Sequence, residues 1–373
     1  MSMQPKVSKP QIVSLIVGGK VHADFTNLWV DSDLLVPADA FDFSLGVKAK
    51  TPLTQEVRKG ARVQVRIDDT VVMQGRLDGR AHTVSRQGGS ATHSIQLRGR
   101  DDMATLVDCS APIKSMKELT LMQVVEQIAK PMGITKIKFV GDKQYTHEKI
   151  SIEPGESGWD ALAKACEANG VAAWFEPDGT LTIGGPDYEV PPVAVLRLKY
   201  DNNLTNVLEV SEDDNIDGVY SELTVLGQSH GGKKGKGANQ KSHATDPNID
   251  WPRPKIVVDG DCQDGAVAGT RARKLLADGR MNGYTLKVIV KGYYTEGGLL
   301  WQPLQRVECD FEPMDTHAVF ILMARRFYMT RDGGKYTQLT LKEDGVWVID
   351  ARKKKAKGKK ARRVRKSIEK DIK

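Results

Sequence analysis

Two stretches about 244 residues apart repeat one strand pattern, and this constrains the fold more than any single motif. Arg62-Val63-Gln64-Val65-Arg66-Ile67 alternates polar and apolar residues, the period of a half-buried strand. Asp68-Asp69 makes a tight turn into Thr70-Val71-Val72-Met73. A second hairpin, Ala81–Arg86, turns at Gln87-Gly88-Gly89-Ser90 and returns as Ser94–Arg98, closing on Asp101-Asp102. From Arg306 the order repeats. Val307, Cys309 and Phe311 alternate, strands continue through Ala318–Met329, Asp332-Gly333-Gly334 turns, and Tyr336–Leu341 leads to Glu343-Asp344. From spacing alone two readings stay open: one module present twice, or the likeness of any two hairpin pairs.

Between these stretches the periodicity changes. Thr120 with Gln123 forms a capping-box signature, and Leu121, Val124, Val125 and Ile128 follow at helical spacing before Pro131 and Gly133. Ser157 caps a second predicted helix with Trp159, Leu162, Ala163 and Cys166 on one face and Gly170 beyond its end. Val171–Phe175, Pro177-Asp178-Gly179 and Thr180–Ile183 read as a hairpin. Strand patterns resume over 195–227. Gln228–Pro254 lacks apolar periodicity and reads as a long mobile loop, and a helix follows near 265–277, ending at Gly279. The fold class is therefore α+β, mainly β. The boundaries are 11–110 for a first β module, 111–192 for an α/β insert, 193–350 for a second β module and 351–373 for a tail.

The net charge of +7 is concentrated in that tail. Residues 351–373 hold 13 of the 55 basic residues and two of the 48 acidic ones, so the tail carries +11 and the body −4. A domain-wide nucleic-acid face is not indicated. Arg352, Lys353, Lys354, Lys355, Lys357, Lys359, Lys360, Arg362 and Arg363 form the one candidate binding element. It suits phosphates or an acidic protein surface. The plain alternative is a solvated, disordered tail. The longest clear apolar run, Ala318–Ala324, is far short of a membrane span. Met1–Lys6 has no apolar core behind its charge, so no secretory signal is expected. Cys109, Cys166, Cys262 and Cys309 are widely spaced and read as reduced thiols of a cytosolic product.

No catalytic constellation emerges. Histidines 22, 82, 93, 147, 230, 243 and 317 lack metal spacing, and those at 82, 93 and 317 read as strand-face residues. Gly333-Gly334-Lys335 is followed by Tyr336, where a phosphate loop needs Ser or Thr. Glu153, Glu156 and Asp160 cluster near a helix start, where Asp160 serves the N-terminus better than acid catalysis. Asp101-Asp102 and Glu343-Asp344 occupy one place in the repeat, which suggests a cap or turn. No enzyme activity, cofactor or metal is expected.

The order of parts resembles the baseplate hub protein of contractile-tailed, Mu-like bacteriophages. The likeness covers nearly all of 11–350. It is carried by Gly99-Arg100-Asp101-Asp102-Met103-Ala104-Thr105-Leu106-Val107-Asp108-Cys109-Ser110, Leu119–Ala129, Ser157-Gly158-Trp159-Asp160-Ala161-Leu162, and Gly292–Leu304 with its Gly-Gly-Leu-Leu-Trp-Gln-Pro core. The lysine-rich end differs from that family's variable C-terminus. The resemblance implies that the two β modules are barrel-like tube domains and that the chain is a homotrimer. Six similar units would then ring a channel, adapting a sixfold tail tube to a threefold spike.

The same resemblance implies as partners a central spike protein, a tail tube or tube-initiator protein, baseplate wedge proteins, the tape-measure protein and DNA. It also implies a virion location, with assembly in the host cytoplasm. The insert would lie on the ring's periphery or lower face, and loop 228–254 would project towards a neighbour. A hub of a headless contractile particle, either a bacteriocin or a type VI-like spike, is the near alternative. A tail-associated peptidoglycan hydrolase and a nucleic-acid-binding protein are the distant ones.

Overall fold

The computed structural model describes residues 10–47, 55–87, 90–113, 115–141, 146–227, 240–259, 262, 265–330 and 334–347. The first module contains β1 (Val13–Val17), β2 (Lys20–His22), β3 (Asn27–Asp33), β4 (Ala40–Val47), β5 (Arg62–Ile67), β6 (Thr70–Gln87) and β7 (Ser90–Asp101). The alternation read in β5 is the observed one: Val63, Val65 and Ile67 face inward and are buried. Asp68 makes the β5–β6 turn at φ +50°, a conformation that aspartate tolerates better than most residues. Its carboxylate accepts the Ile12 N–H and the Tyr294 O–H, each at 2.8 Å, which ties the turn to the other half of the chain. In β7, Gly99 lets two strands and a ring approach closely. A Cβ there would lie 2.2 Å from the Arg76 carbonyl oxygen and 2.5 Å from the Phe41 ring.

The insert contains α1 (Ala104–Asp108), β8 (Ser115–Thr120), α2 (Leu121–Ala129), β9 (Ile137–Val140), β10 (Thr146–Ser151), α3 (Gly158–Ala168), β11 (Ala172–Phe175) and β12 (Leu181–Gly184). The capping box on α2 is present. Thr120 Oγ1 accepts the Gln123 N–H, and Gln123 Oε1 accepts the Thr120 N–H at 2.9 Å. Ser157 caps α3, accepting the Asp160 N–H at 3.0 Å. The buried face of α3 is Gly158, Ala161, Leu162, Ala165, Cys166 and Ala168. Trp159 and Ala163, expected on that face, are half-buried at its margin.

The remaining elements are β13 (Ala194–Leu198), β14 (Glu209–Asp214), β15 (Glu222–Gly227), β16 (Gln240–Thr245), β17 (Pro254–Asp259), α4 (Gly265–Gly283), β18 (Tyr284–Lys291), β19 (Arg306–Phe311), β20 (Thr316–Thr330) and β21 (Gly334–Glu343). Two expectations change here. The stretch 228–254 is not one long loop, because β16 lies within it and pairs antiparallel with β15, while β17 runs parallel to β15 on the other side. Gln-Lys-Ser-His-Ala-Thr carries no large apolar residue, so its half-buried alternation left no hydrophobic period to read. Residues 228–239 lie outside the described residues.

The helix predicted near 265–277 also runs on to Gly283. Gly279 does not stop it. A Cβ at Gly279 would meet the Gly218 carbonyl oxygen at 2.2 Å, and one at Gly283 would meet Val219 Cγ2 at 2.6 Å. These glycines let the 215–219 segment pack on the helix backbone.

The repeat is architectural. In both halves an alternating strand (β5, β19) feeds a long strand (β6, β20) that pairs antiparallel with a third (β7, β21). The Gly-Gly turns read at 88–89 and 332–334 fall largely on 88–89 and 331–333, outside the described residues. Each long strand carries a bulge at the matching place, Leu77/Gly79 and Leu322/Ala324. The same ion pair closes each unit: Arg62 with Asp102, and Arg306 with Asp344 at 2.7 Å. Chance likeness of two hairpin pairs does not reproduce a bulge and an ion pair in register.

Both units belong to one 13-stranded sheet, with strand order β14-β18-β21-β20-β3-β4-β7-β6-β5-β1-β2 and β13 and β19 off that path. One apolar cluster spans both, from Leu15, Phe43 and Val65 to Val288, Phe311 and Leu339. A second fills the insert and reaches Ile321, Met323 and Trp347. A third joins β15 to α4 through Leu223, Val225, Val267 and Ala272.

Candidate assembly interface

The two β units meet along one strand pair. β3 runs antiparallel to the far end of β20, from Asp33 opposite Ala324 to Leu28 opposite Met329. β20 can take this second partner because β19 pairs only with Thr316–Ile321, which leaves 324–329 open on that side. Arg326 reaches Asp31 at 2.9 Å and lies over the Trp29 ring, 4.9 Å from its centroid.

Arg325 points the other way, into the protein, and is buried with 2% exposure. It donates Nη1 to the Val30 carbonyl at 3.0 Å and stacks over Phe327, 4.2 Å from the ring centroid. Burial pushes its guanidinium down to about 10, against the opposing pull of Asp39 and Asp31. It therefore stays charged at neutral pH.

A buried carboxylate pair lies beside it. Burial raises Asp39 to about 7, with hydrogen bonds from Ser32 and the Asp33 N–H working in the opposite direction. Burial, then the charge of Asp39, holds Asp101 well above the carboxylate range, while its Oδ1 accepts the Met103 N–H at 3.0 Å. Ser32, Asp39, Asp101, Met103, Trp159 and Phe175 line a cavity of about 10 Å³, room for one water at most. An open groove of about 240 Å³ runs between α3 and α4 and is lined by Leu34, Trp159, Cys166, Lys274 and Trp347. Neither has the size of an ordinary small-molecule site.

The carboxylate pair has a consequence for stability. A carboxyl raised in the folded state binds more protons folded than unfolded between its two pKa values. Stability is then full below the ordinary carboxylate range and declines as pH rises towards neutrality. Asp39→Asn is expected to reduce that decline, which is read as the difference in urea midpoint between about pH 5 and pH 8. A variant that keeps the whole wild-type difference would place the titration elsewhere.

The residues singled out in the sequence are otherwise dispersed. His82, His93 and His317 lie on strands, as read, and His317 Nδ1 meets Asp310 at 2.7 Å. Glu156 pairs with Lys164 at 2.8 Å, and Asp160 belongs to the α3 cap. Asp101, Asp102, Glu343 and Asp344 hold turns and strands together. Arg280 reaches Glu343 at 2.7 Å in the same way that Arg306 reaches Asp344. Among the described residues no cluster of His, Cys, Asp or Glu could hold a metal. Cys166, Cys262 and Cys309 are buried and Cys109 is exposed. The basic run at 352–363 lies outside the described residues. Of the groups at the junction, Asp101 is read from the sequence only as a cap or turn residue, and Arg325 and Asp39 are not singled out. The only signal for Arg325 was a charged pair, Arg325-Arg326, directly after the longest apolar run.

Four family profiles match successive parts of the chain. They are the Mu phage baseplate assembly protein GpP-like N-terminal domain over 12–101 and the baseplate hub protein gp44-like second domain over 103–185. The tail protein NMB1110-like third domain follows over 219–276, and a tail protein C-terminal domain over 278–346. A tail protein from Neisseria meningitidis shares 38% identity over 92% of this chain and 99% of its own, with a TM-score of 0.80. The chain belongs to the phage baseplate hub family.

Other phage-tail and secretion-system structures share its fold at lower identity. The 43 kDa tail protein of prophage MuSo2 from Shewanella oneidensis has 22% identity over 90% of this chain and 99% of its own, with a TM-score of 0.75. A type VI secretion component from E. coli has 12% identity over 88% and 76%, with a TM-score of 0.57. A comparison with curated protein sequences gave no match. The hub family sets the place of the protein in the virion tail. No helix among the described residues is long and apolar enough to cross a membrane.

Proposed function

We propose that the protein is the structural hub of a contractile-tail baseplate. In this reading it is a homotrimeric, pseudo-hexameric ring that joins a sixfold tail tube to a threefold central spike and frames the channel for DNA and the tape-measure protein. The observation that carries it is the repeated unit, with its matching bulge and its Arg62–Asp102 and Arg306–Asp344 pairs. A chain with two equivalent units presents six to a sixfold neighbour when three chains assemble, and three to a threefold one. The role is architectural, without catalysis. Assembly takes place in the host cytoplasm, and wedge proteins and a tube initiator complete the contacts. The boundaries 11–110, 111–192, 193–350 and 351–373 are retained as its working division, with the insert at the ring's periphery. The fold shared with the type VI component favours, as a second reading, the hub of a headless injection particle.

Light scattering on a size-exclusion column tests the trimer. The expected mass is near three times the 41.1 kDa chain. A monomer that stays monomeric with the spike protein added would overturn it. The basic tail is proposed to dock an acidic partner surface or nucleic acid, and its binding would be strongly salt-dependent. Removing 351–373 is expected to flatten the salt dependence of DNA binding. An unchanged slope would leave the tail without that role.

A further inference from the structure

The junction between the two units uses only half of what the repeat offers. In the first unit β4 flanks β7, with Phe41 opposite Gly99, and β3 flanks β4, with Val30 opposite Phe41. In the second, β18 flanks β21, with Leu286 opposite Leu341, and β14 flanks β18, with Glu212 opposite Leu286. So β14 is the counterpart of β3, and Glu212 the counterpart of Val30. By the same matching, Gly79 to Val84 on β6 are the counterparts of Ala324 to Met329 on β20, since both runs begin just after the bulge.

Inside the chain β3 fills the open side of β20. Among the described strands, β14 pairs only with β18, and residues 79–84 of β6 pair only with β7. The burial reflects this. Arg325 and Phe327 are covered, while their counterparts Arg80 and His82 are exposed, and Val84 is 55% exposed.

We propose that β14 of one copy pairs antiparallel with residues 79–84 of β6 in the next copy, repeating the β3–β20 junction between chains. This rests on the ring reading above and gives the ring its contact and register. Carrying the β3–β20 register across sets Arg80 opposite Asp214, His82 opposite Glu212 and Val84 opposite Val210. The charges agree with that register. β14 carries Glu209, Glu212, Asp213 and Asp214, whereas the open run of β6 carries Arg80 and His82, with Arg86 just beyond. Arg80 gives one N–H to the Val57 carbonyl at 3.1 Å and has further donors on its fork. The internal junction has the same polarity, with basic Arg326 on β20 against acidic Asp31 on β3. Two β14 strands pairing with each other would instead oppose like charges, which is unfavourable. Because the two edges differ, the contact is head-to-tail and leaves no free copy of either edge once the ring closes.

The test uses the full chain with exposed Cys109 changed to Ser. Val84→Cys with Val210→Cys places the thiols in the proposed register. Val84→Cys with Asp213→Cys moves one of them three residues along the strand, about 10 Å away. On mild oxidation the in-register pair is expected to form covalent dimers and trimers about tenfold faster than the off-register pair, because disulfide geometry is that restrictive. Equal rates in protein of trimeric mass would overturn this pairing and leave the ring reading standing. A monomeric mass with no cross-link would overturn both. Cross-linking by Val210→Cys alone would replace the proposal with a twofold β14 contact.

Discussion

Val65→Asp is expected to abolish cooperative folding of the first β unit at neutral pH. Val65 is fully buried between Leu15 on β1 and Met73 on β6. The substitution loses roughly 1.5–3 kcal/mol of apolar burial. It also places a carboxylate among apolar side chains, which costs several kcal/mol more or forces the group to stay protonated. Together these approach the roughly 5–15 kcal/mol that holds an ordinary domain folded. Ile95→Asp, at 2% exposure on β7, is expected to behave alike. Gln64→Asp, one residue away on the outward face and beside Arg66, is expected to stay within about 0.5 kcal/mol of wild type. Circular-dichroism melts of the three variants check this. Wild-type melting of Val65→Asp or Ile95→Asp would mean that the inward and outward faces have been assigned the wrong way round. Partial recovery of the aspartate variants in acid is expected too, since protonation removes the cost of the buried charge.

What made this prediction readable in the sequence is the side-chain period of two. Strict alternation needs only that one face be apolar, so β5 and β19 could both be read from residue types alone. The capped helices were equally readable, because Thr120, Gln123 and Ser157 announce their own backbone geometry. Three kinds of feature were not legible. β16 buries Ser242 and Ala244 only halfway, so no apolar period marks it. Gly279 and Gly283 look like stop signals, yet they admit a neighbouring backbone, and that need exists only after the 215–219 segment has folded back. The junction is the third. Whether Arg325 faces water or protein depends on β3 arriving from nearly 300 residues away, and local sequence carries no trace of that. The repeat was visible as a pattern, but the bulge and the two ion pairs that establish it are facts of register.

Arg325→Ala is expected to destabilise the chain by roughly 1–3 kcal/mol, the usual cost of leaving a buried hydrogen-bonding group unpaired. Several losses combine. The Val30 carbonyl loses its donor from Arg325, and Phe327 loses the cation stacked on it. The longer contact to the Val72 carbonyl, at 3.5 Å, disappears as well. A further loss is electrostatic. Asp39 lies beside Asp101, and the guanidinium charge favours the ionised form of Asp39 against its burial. Without it, ionising Asp39 becomes costlier and its carboxyl rises further. Lysine should not restore stability, since a point charge cannot reproduce the planar fork that reaches β3 and stacks on a ring. Part of the cost is the ionised fraction of Asp39 left without that cation, so neutralising Asp39 should recover that part. The double variant Arg325→Ala with Asp39→Asn is therefore expected to lose at least about 1 kcal/mol less than the sum of the two single losses. Urea denaturation of the four proteins at one pH measures this. Additivity within about 0.5 kcal/mol would mean that Arg325 acts by packing and hydrogen bonding alone. A measured coupling would instead show that the joint between the two repeated units is held by a buried charge cluster, with one unit supplying the cation and the other the carboxylates.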